Sequence, residues 1–262
     1  MMDFRIKGKC ALVTGGTHGI GRAIALALAA EGCRVAVCSR TAERVAAMGE
    51  ELRRLGIEYL ALEADVTRAS DVDRVMQAVT ERWGALHILV NNVGGGGRWG
   101  SDVIEETAER VWVEVYEKNV LASIRFTTRA LPLMRRQKWG RVIAITSIFG
   151  RESGGRPWFC MAKSAQTSFM KAMAKKDYLV KEGITFNSVA PGAIMIPSTG
   201  WEKAQKENPL EMGEFIRREL PLGRLGAPEE IGSVVAFLCS EQASLVNGAS
   251  IPVDGGQSKS MI

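Results

Sequence analysis

Thr14-Gly15-Gly16-Thr17-His18-Gly19-Ile20-Gly21 joins the apolar run Cys10-Ala11-Leu12-Val13 to a helix-forming run that begins at Arg22. In a strand–turn–helix setting, Gly15, Gly19 and Gly21 permit a tight turn, close backbone approach and helix–strand packing. Exposed N–H groups and the positive helix end then face an anion, most often a dinucleotide pyrophosphate. The turn residues Thr17, His18 and Ile20 complete this candidate cradle. The next informative position is the end of the second strand, Val37-Cys38-Ser39-Arg40-Thr41. A carboxylate there would hold a ribose 2′-hydroxyl, whereas an arginine suits a 2′-phosphate. No carboxylate is present, so Ser39 and Arg40 favour NADP(H) over NAD(H). His18 is a further candidate for the phosphate.

These groups need a scaffold that brings the ends of several strands together. Continuous Val/Ile/Leu/Ala runs predict strands at 10–13, 34–38, 59–62, 86–90, 141–145 and 185–189. Helical spacing of apolar residues predicts helices at 23–31, 42–55, 70–83, 105–137 and 161–182. Such βα alternation implies an α/β fold, a doubly wound parallel sheet flanked by helices. No repeat or low-complexity linker divides residues 1–262, which read as a single dinucleotide-binding domain.

The bulk properties exclude several other classes. With 262 residues, 46% of them hydrophobic, the chain can bury one large core. Five cysteines (10, 33, 38, 160 and 239) show no metal-ligand spacing and read as small buried hydrophobes in a reducing compartment. No metal site is expected. The net charge of +5 is mild, and Arg53-Arg54, Arg135-Arg136 and Lys175-Lys176 read as solvated helix faces, not a nucleic-acid surface. Neither a charged-then-apolar leader nor an apolar run of about 18 residues occurs, which predicts a soluble, cytoplasmic protein without a membrane partner.

Further motifs follow in order: Ala64-Asp65-Val66, Asn91-Asn92-Val93-Gly94, Glu117-Lys118-Asn119-Val120, Ile145-Thr146-Ser147, Pro191-Gly192, Asn247-Gly248 and Val253-Asp254-Gly255-Gly256. Together with the glycine turn, they make the chain resemble the short-chain dehydrogenase/reductase family over nearly its whole length. Within that family the nearest likeness is to the β-ketoacyl-acyl-carrier-protein reductases. The resemblance implies a single-domain Rossmann-type fold and hydride transfer between NADP(H) and a carbonyl/alcohol pair. Asp65 and Val66 would meet the adenine, while Asn92, Val93 and Gly94 would line the cofactor. Pro191, Gly192 and the backbone of Ile194 would reach the nicotinamide end. Ser147 would polarise the substrate oxygen, Lys163 would hold the nicotinamide ribose, and Asn119 would anchor a proton-supplying water chain.

Two positions depart from the family pattern. Its Tyr-x-x-x-Lys motif here reads Phe159-Cys160-Met161-Ala162-Lys163. The spacing of four still places both side chains on one helix face. Phe159 nevertheless has no hydroxyl to exchange a proton with the substrate. Three readings follow: an engineered Tyr-to-Phe change, a natural Phe with reaction through Lys163, Ser147 and water, or a catalytically silent NADP(H)-binding protein. The second departure is Ile196, where the family commonly has a pyrophosphate-donating Thr. Ser198 or Thr199 can take that part from a shifted loop.

Residues 196–220 correspond to the family's mobile substrate lid, of a kind that excludes water from hydride transfer. Residues 94–97 and the pair Gly154-Gly155 are expected to leave space beside the nicotinamide. Trp99, Trp158 and Trp201 lie near these loops, as core packing or as stacking surfaces. Lys203, Lys206, Arg217 and Arg218 on the lid read as an exposed face, with attraction of an anionic substrate as the alternative. Apolar residues on several faces of 105–137 and 161–182, with the resemblance, imply a homo-oligomer, a dimer or homotetramer. The expected function is NADP(H)-dependent interconversion of a small-molecule carbonyl and a secondary alcohol, at a rate reduced by Phe159.

Overall fold

A computed structural model describes residues 3–261. The strands are β1 (Cys10–Thr14), β2 (Arg34–Ser39), β3 (Tyr59–Glu63), β4 (Ile88–Asn91), β5 (Gly140–Ile145), β6 (Ile184–Pro191) and β7 (Ser250–Val253). They form one sheet in the order β3-β2-β1-β4-β5-β6-β7, and every pairing is parallel. After β3 the chain crosses back to place β4 beside β1, which opens a crevice at their carboxyl ends. That crevice is where ligands bind in sheets of this kind.

The helices are α1 (Gly19–Ala30), α2 (Ala42–Arg54), α3 (Ala69–Trp83), α4 (Glu109–Tyr116), α5 (Ala122–Arg136), α6 (Pro157–Ala174), α7 (Asp177–Val180), α8 (Gly200–Glu207), α9 (Pro209–Glu219) and α10 (Pro228–Leu238). Alternation along the strands feeds two cores. Ala11, Val13, Val35 and Val37 pack with Ile24 and Leu28 of α1 and Val235 of α10. Leu12, Ala36, Leu89 and Val142 face the other way, onto Val75 of α3 and Phe126 of α5. Each fully buried side chain of this size stabilises the fold by about 1.5–3 kcal/mol, so both helix layers hold the strand ends in fixed register.

The structure corrects several predicted boundaries. β4 begins at Ile88, two residues after the expected start. Before it, the N–H of Cys10 donates to Nδ1 of His87, and the His87 N–H donates to the Cys10 carbonyl. The expected helix at 105–137 is broken into a 3-10 turn at Ile104–Glu106, α4, a π-turn at Glu117–Leu121, and α5. The expected helix at 161–182 starts earlier, at Pro157, whose ring suits the first helical position. It stops at Ala174, and 177–180 form the separate α7. Cys10, Cys33, Cys38 and Cys239 are buried as expected, but Cys160 is only half-buried. Among the described residues no helix is long and apolar enough to cross a membrane, and no side-chain cluster suits a metal ion.

Candidate active site

The crevice is a cleft of about 770 Å³ running from the end of β2 to the start of α8. Its floor is the glycine turn. Gly15 has φ of 65° and Gly19 φ of 53°, a left-handed backbone that favours glycine. A Cβ on Gly21 would overlap the Gly15 carbonyl, and one on Gly19 would lie 2.8 Å from Ile196 Cγ2. The turn is therefore as close-packed as backbone allows, with its N–H groups at the amino end of α1. Asn92 braces it from β4, donating from Nδ2 to the Thr14 carbonyl at 2.8 Å. Asn91 instead points onto α5 and donates to Thr127 Oγ1 at 3.0 Å.

At the β2 end, Ser39, Arg40 and Arg44 line the cleft. Arg44 was not singled out from sequence, although it stands one helical turn beyond Arg40. His18 also lines the cleft. Burial, followed by the charge of Arg44, holds its imidazole below the usual range. Asp65 accepts from the Thr67 backbone and hydroxyl at 3.0 and 2.7 Å. Burial opposes its charge, but those hydrogen bonds prevail and lower its carboxyl pKa. Val66, Val93, Gly94, Pro191 and Gly192 also border the cavity. Ile194 does not; its side chain is buried, and the segment around it pairs with Gly226.

At the opposite end stand Ser147, Phe159 and Lys163. Ser147 caps the turn Ile148–Gly150, its Oγ accepting from the Phe149 N–H at 3.2 Å. Its hydroxyl hydrogen thus remains available to a substrate oxygen. Phe159 and Lys163 sit on one face of α6, with Lys163 Nζ 5.8 Å from the ring centroid. Lys163 is buried and donates to the Ile145 carbonyl at 2.9 Å and to Gln166 Oε1 at 3.0 Å. Gln166 in turn donates to Ser123 Oγ at 2.9 Å. Sequence reading missed Gln166, whose amide resembles any helical polar residue until burial is known. Burial, then the positive charge of Lys118, pulls the Lys163 amine down to about 7.

Asn119 lies within the π-turn, fully buried beneath residues 94–95, and does not line the cleft. It exchanges hydrogen bonds with Gly95, accepting from its N–H and donating to its carbonyl, and donates to the Val115 carbonyl. A Cβ on Gly94 would lie 2.7 Å from Asn119 Oδ1 and 2.8 Å from Lys163 Nζ, so glycine lets the backbone pass over both. Residues 94–97 border the cavity, whereas Gly154 and Gly155 do not, because the Phe149 ring packs on them. Trp158 is core, donating to the Gly96 carbonyl at 3.0 Å and meeting Trp112 edge-on. Trp99 and Trp201 border the cleft. Before α8, Ile196 and Thr199 reach the cavity and Ser198 does not; Thr199 donates to the Ile196 carbonyl. The cations of α8 and α9 are paired: Lys203 with Glu207, Lys206 with Glu202, Arg217 with Glu214 and Arg218 with Glu219.

A dinucleotide fits this arrangement. The glycine cradle would take a pyrophosphate, the paired arginines a terminal phosphate, and the Ser147–Lys163 end a reacting carbonyl. Comparison with known proteins agrees. The enoyl-(acyl carrier protein) reductase family model matches residues 15–258. The chain is 33% identical to the 3-oxoacyl-[acyl-carrier-protein] reductase FabG of Aquifex aeolicus, over 97% of this chain and 99% of that protein. The L-sorbose reductase of Gluconobacter frateurii, solved with NADPH and L-sorbose, superposes with a TM-score of 0.91. It is 31% identical, with 99% of this chain and 100% of that one covered. A 7α-hydroxysteroid dehydrogenase, solved with NADH and 7-oxo glycochenodeoxycholic acid, gives a TM-score of 0.88 at 28% identity, covering 99% and 98%. From the sheet order, the glycine cradle and these relatives, the chain belongs to the short-chain dehydrogenase/reductase family.

Proposed function

We propose that the chain is an NADP(H)-dependent oxidoreductase that interconverts a carbonyl and a secondary alcohol, slowed by Phe159. The observation that carries this reading is one cleft joining the arginine pair at the β2 end to Ser147 and Lys163. NADP(H) is the cofactor. Arg40, Arg44 and Ser39 hold its 2′-phosphate, and the turn from Gly15 to Gly21 holds its pyrophosphate. Bound there, it would supply or accept the hydride at the carbonyl carbon. Ser147 donates its hydroxyl hydrogen to the carbonyl oxygen and orients it.

In reduction, that oxygen must also gain a proton. Phe159 has none to give. Lys163 takes this part, its ammonium releasing a proton through water and regaining one from solvent. With a pKa of about 7, Lys163 holds comparable amounts of ammonium and amine near neutrality. Its two protein acceptors, Ile145 and Gln166, satisfy two N–H groups in either state. The apolar surfaces of Val113 and Met161, 57% and 45% exposed, support assembly into a dimer or tetramer.

A catalytically silent NADP(H)-binding protein is the second reading, favoured by Phe159 alone. NADPH oxidation across a panel of ketones, sugars and oxoacyl thioesters separates the two. A positioned general acid contributes about 10²–10⁴ in rate, so Phe159→Tyr raises turnover about a hundredfold. Tight NADPH binding without turnover in either protein establishes the silent reading. Equal turnover in both contradicts the account of Phe159.

A further inference from the structure

The cations bordering the cleft are Arg40, Arg44, Arg98, Lys118 and Lys163, against one carboxylate, Asp65. On the reading above, Arg40 and Arg44 meet the 2′-phosphate. Lys118 acts on Arg40 and Asp65 and also on Lys163, with its Nζ 5.0 Å from the Trp99 ring centroid, which places its charge midway along the cleft. Lys163 is committed to Ile145 and Gln166. Arg98 remains, and it stands at the other end. It directly follows the glycine run, and a Cβ on the adjoining Gly97 would lie 3.4 Å from the Phe159 ring.

The Arg98 guanidinium crosses from the β4 loop to α8. Its carbon lies 5.2 Å from the Trp201 ring centroid. It also rests against Gly200 at the start of α8, where any Cβ would collide with it. Glycine at 200 therefore leaves room for this side chain. Among the described residues, no carboxylate or carbonyl accepts from Arg98; the Trp201 stack is its recorded interaction. The contrast with its surroundings is plain, since the four cations of α8 and α9 are paired with glutamates and Arg156 is paired with Asp102 at 2.7 Å. With its carbon over the Trp201 ring and no carboxylate partner, the Arg98 guanidinium has N–H groups to offer an anion, and its planar fork matches a carboxylate.

We propose that Arg98 is a specificity residue and that the substrate is a carboxylate-bearing carbonyl compound whose anionic group docks between Arg98 and Trp201. This rests on the NADP(H)-reductase reading of the cleft and names its substrate class. The anion balances the exposed Arg98 cation at the substrate end, with the Trp201 ring forming one wall of that contact.

The test uses the whole protein loaded with NADP+ or NADPH. The probes are pyruvate, acetoacetate, levulinate and 3-oxooctanoate, each beside its methyl ester. Calorimetry on the NADP+-loaded protein reads binding, and NADPH oxidation reads kcat/KM. A charge-assisted bidentate contact predicts that at least one acid outperforms its ester by about tenfold or more. Arg98→Gln lowers the acid's binding and kcat/KM by that factor relative to the ester, and leaves the NADPH Kd within about twofold. Arg98→Lys falls between, because it keeps the charge without the fork. Gly200→Ala displaces the guanidinium and weakens the acid while Arg98 is still present. No saturable binding of any acid to the loaded protein overturns the proposal, as does an equal loss of acid and ester in Arg98→Gln. Failure of NADPH itself to bind is read in the loading step and removes the underlying reading as well.

Discussion

Phe159 and Lys163 divide between them what a tyrosine and lysine ordinarily share. The ring forms an apolar wall beside Gly97, and on the proposed function the proton role falls to an amine held by Ile145 and Gln166. Burial comes first and Lys118 second in lowering that amine to about 7. With the ammonium as the proposed donor in reduction, the rate of reduction is expected to fall as pH rises through the Lys163 limb, and oxidation to rise there. Gln166→Glu places a negative charge within hydrogen-bond reach of Nζ, favours the ammonium and moves the limb upward by a unit or more, about 1.4 kcal/mol per unit. The pH dependence of kcat/KM measured for both proteins checks this, and an unmoved limb contradicts it. A merely structural role for Gln166 would lower the rate without displacing the profile. Most residues at this end were legible as motif positions. Gln166, Arg98 and Lys118 were not, because a polar residue on a helix or loop reads as solvated until folding shows what it faces.

At the scale of elements, the parallel strands were readable because both faces are covered and their sequences are continuously apolar. The breaks in helices were not. The π-turn at Glu117–Leu121 exists where Asn119 must reach Gly95, a contact between distant segments that helical periodicity does not register. The late start of β4 has a similar cause in the exchange between Cys10 and His87. His87 also carries a stability consequence. Burial, with the charges of Lys9 and Arg34, lowers its imidazole to about 4, from 6.5 in the unfolded chain. The folded state prefers the neutral ring, so this stabilisation is complete above 6.5 and is lost as pH falls from there through 4. His87→Asn keeps an acceptor for the Cys10 N–H without the titration. Thermal unfolding at pH 7 and pH 4 should therefore show a smaller drop in Tm for His87→Asn, on the scale of about 2–4 °C per kcal/mol for a large domain. An equal drop in both proteins contradicts the assignment.

At the scale of the molecule, the sheet order makes a single crevice the meeting point of residues from nearly every strand, from Gly15 after β1 to Gly192 after β6. That convergence was legible from order and spacing alone, since strand ends in a parallel sheet share one edge. What lies on the outside was less so. Val113 on α4 and Met161 on α6 are large, apolar and exposed. Burying such patches between copies predicts a dimer or tetramer in light scattering at micromolar concentration. A monomer across that range contradicts the assembly.

On the proposed function, a 2′-phosphorylated nicotinamide dinucleotide lies along this crevice with its phosphate on Arg40 and Arg44. Calorimetric titration of the protein with NADPH and with NADH tests it most directly. One saturable site per chain is expected, with NADPH tighter by about tenfold or more, as charge-assisted contacts to the phosphate require. Arg40→Asp is expected to narrow or reverse that preference. Absence of saturable binding, or NADH binding as tightly as NADPH, would contradict it.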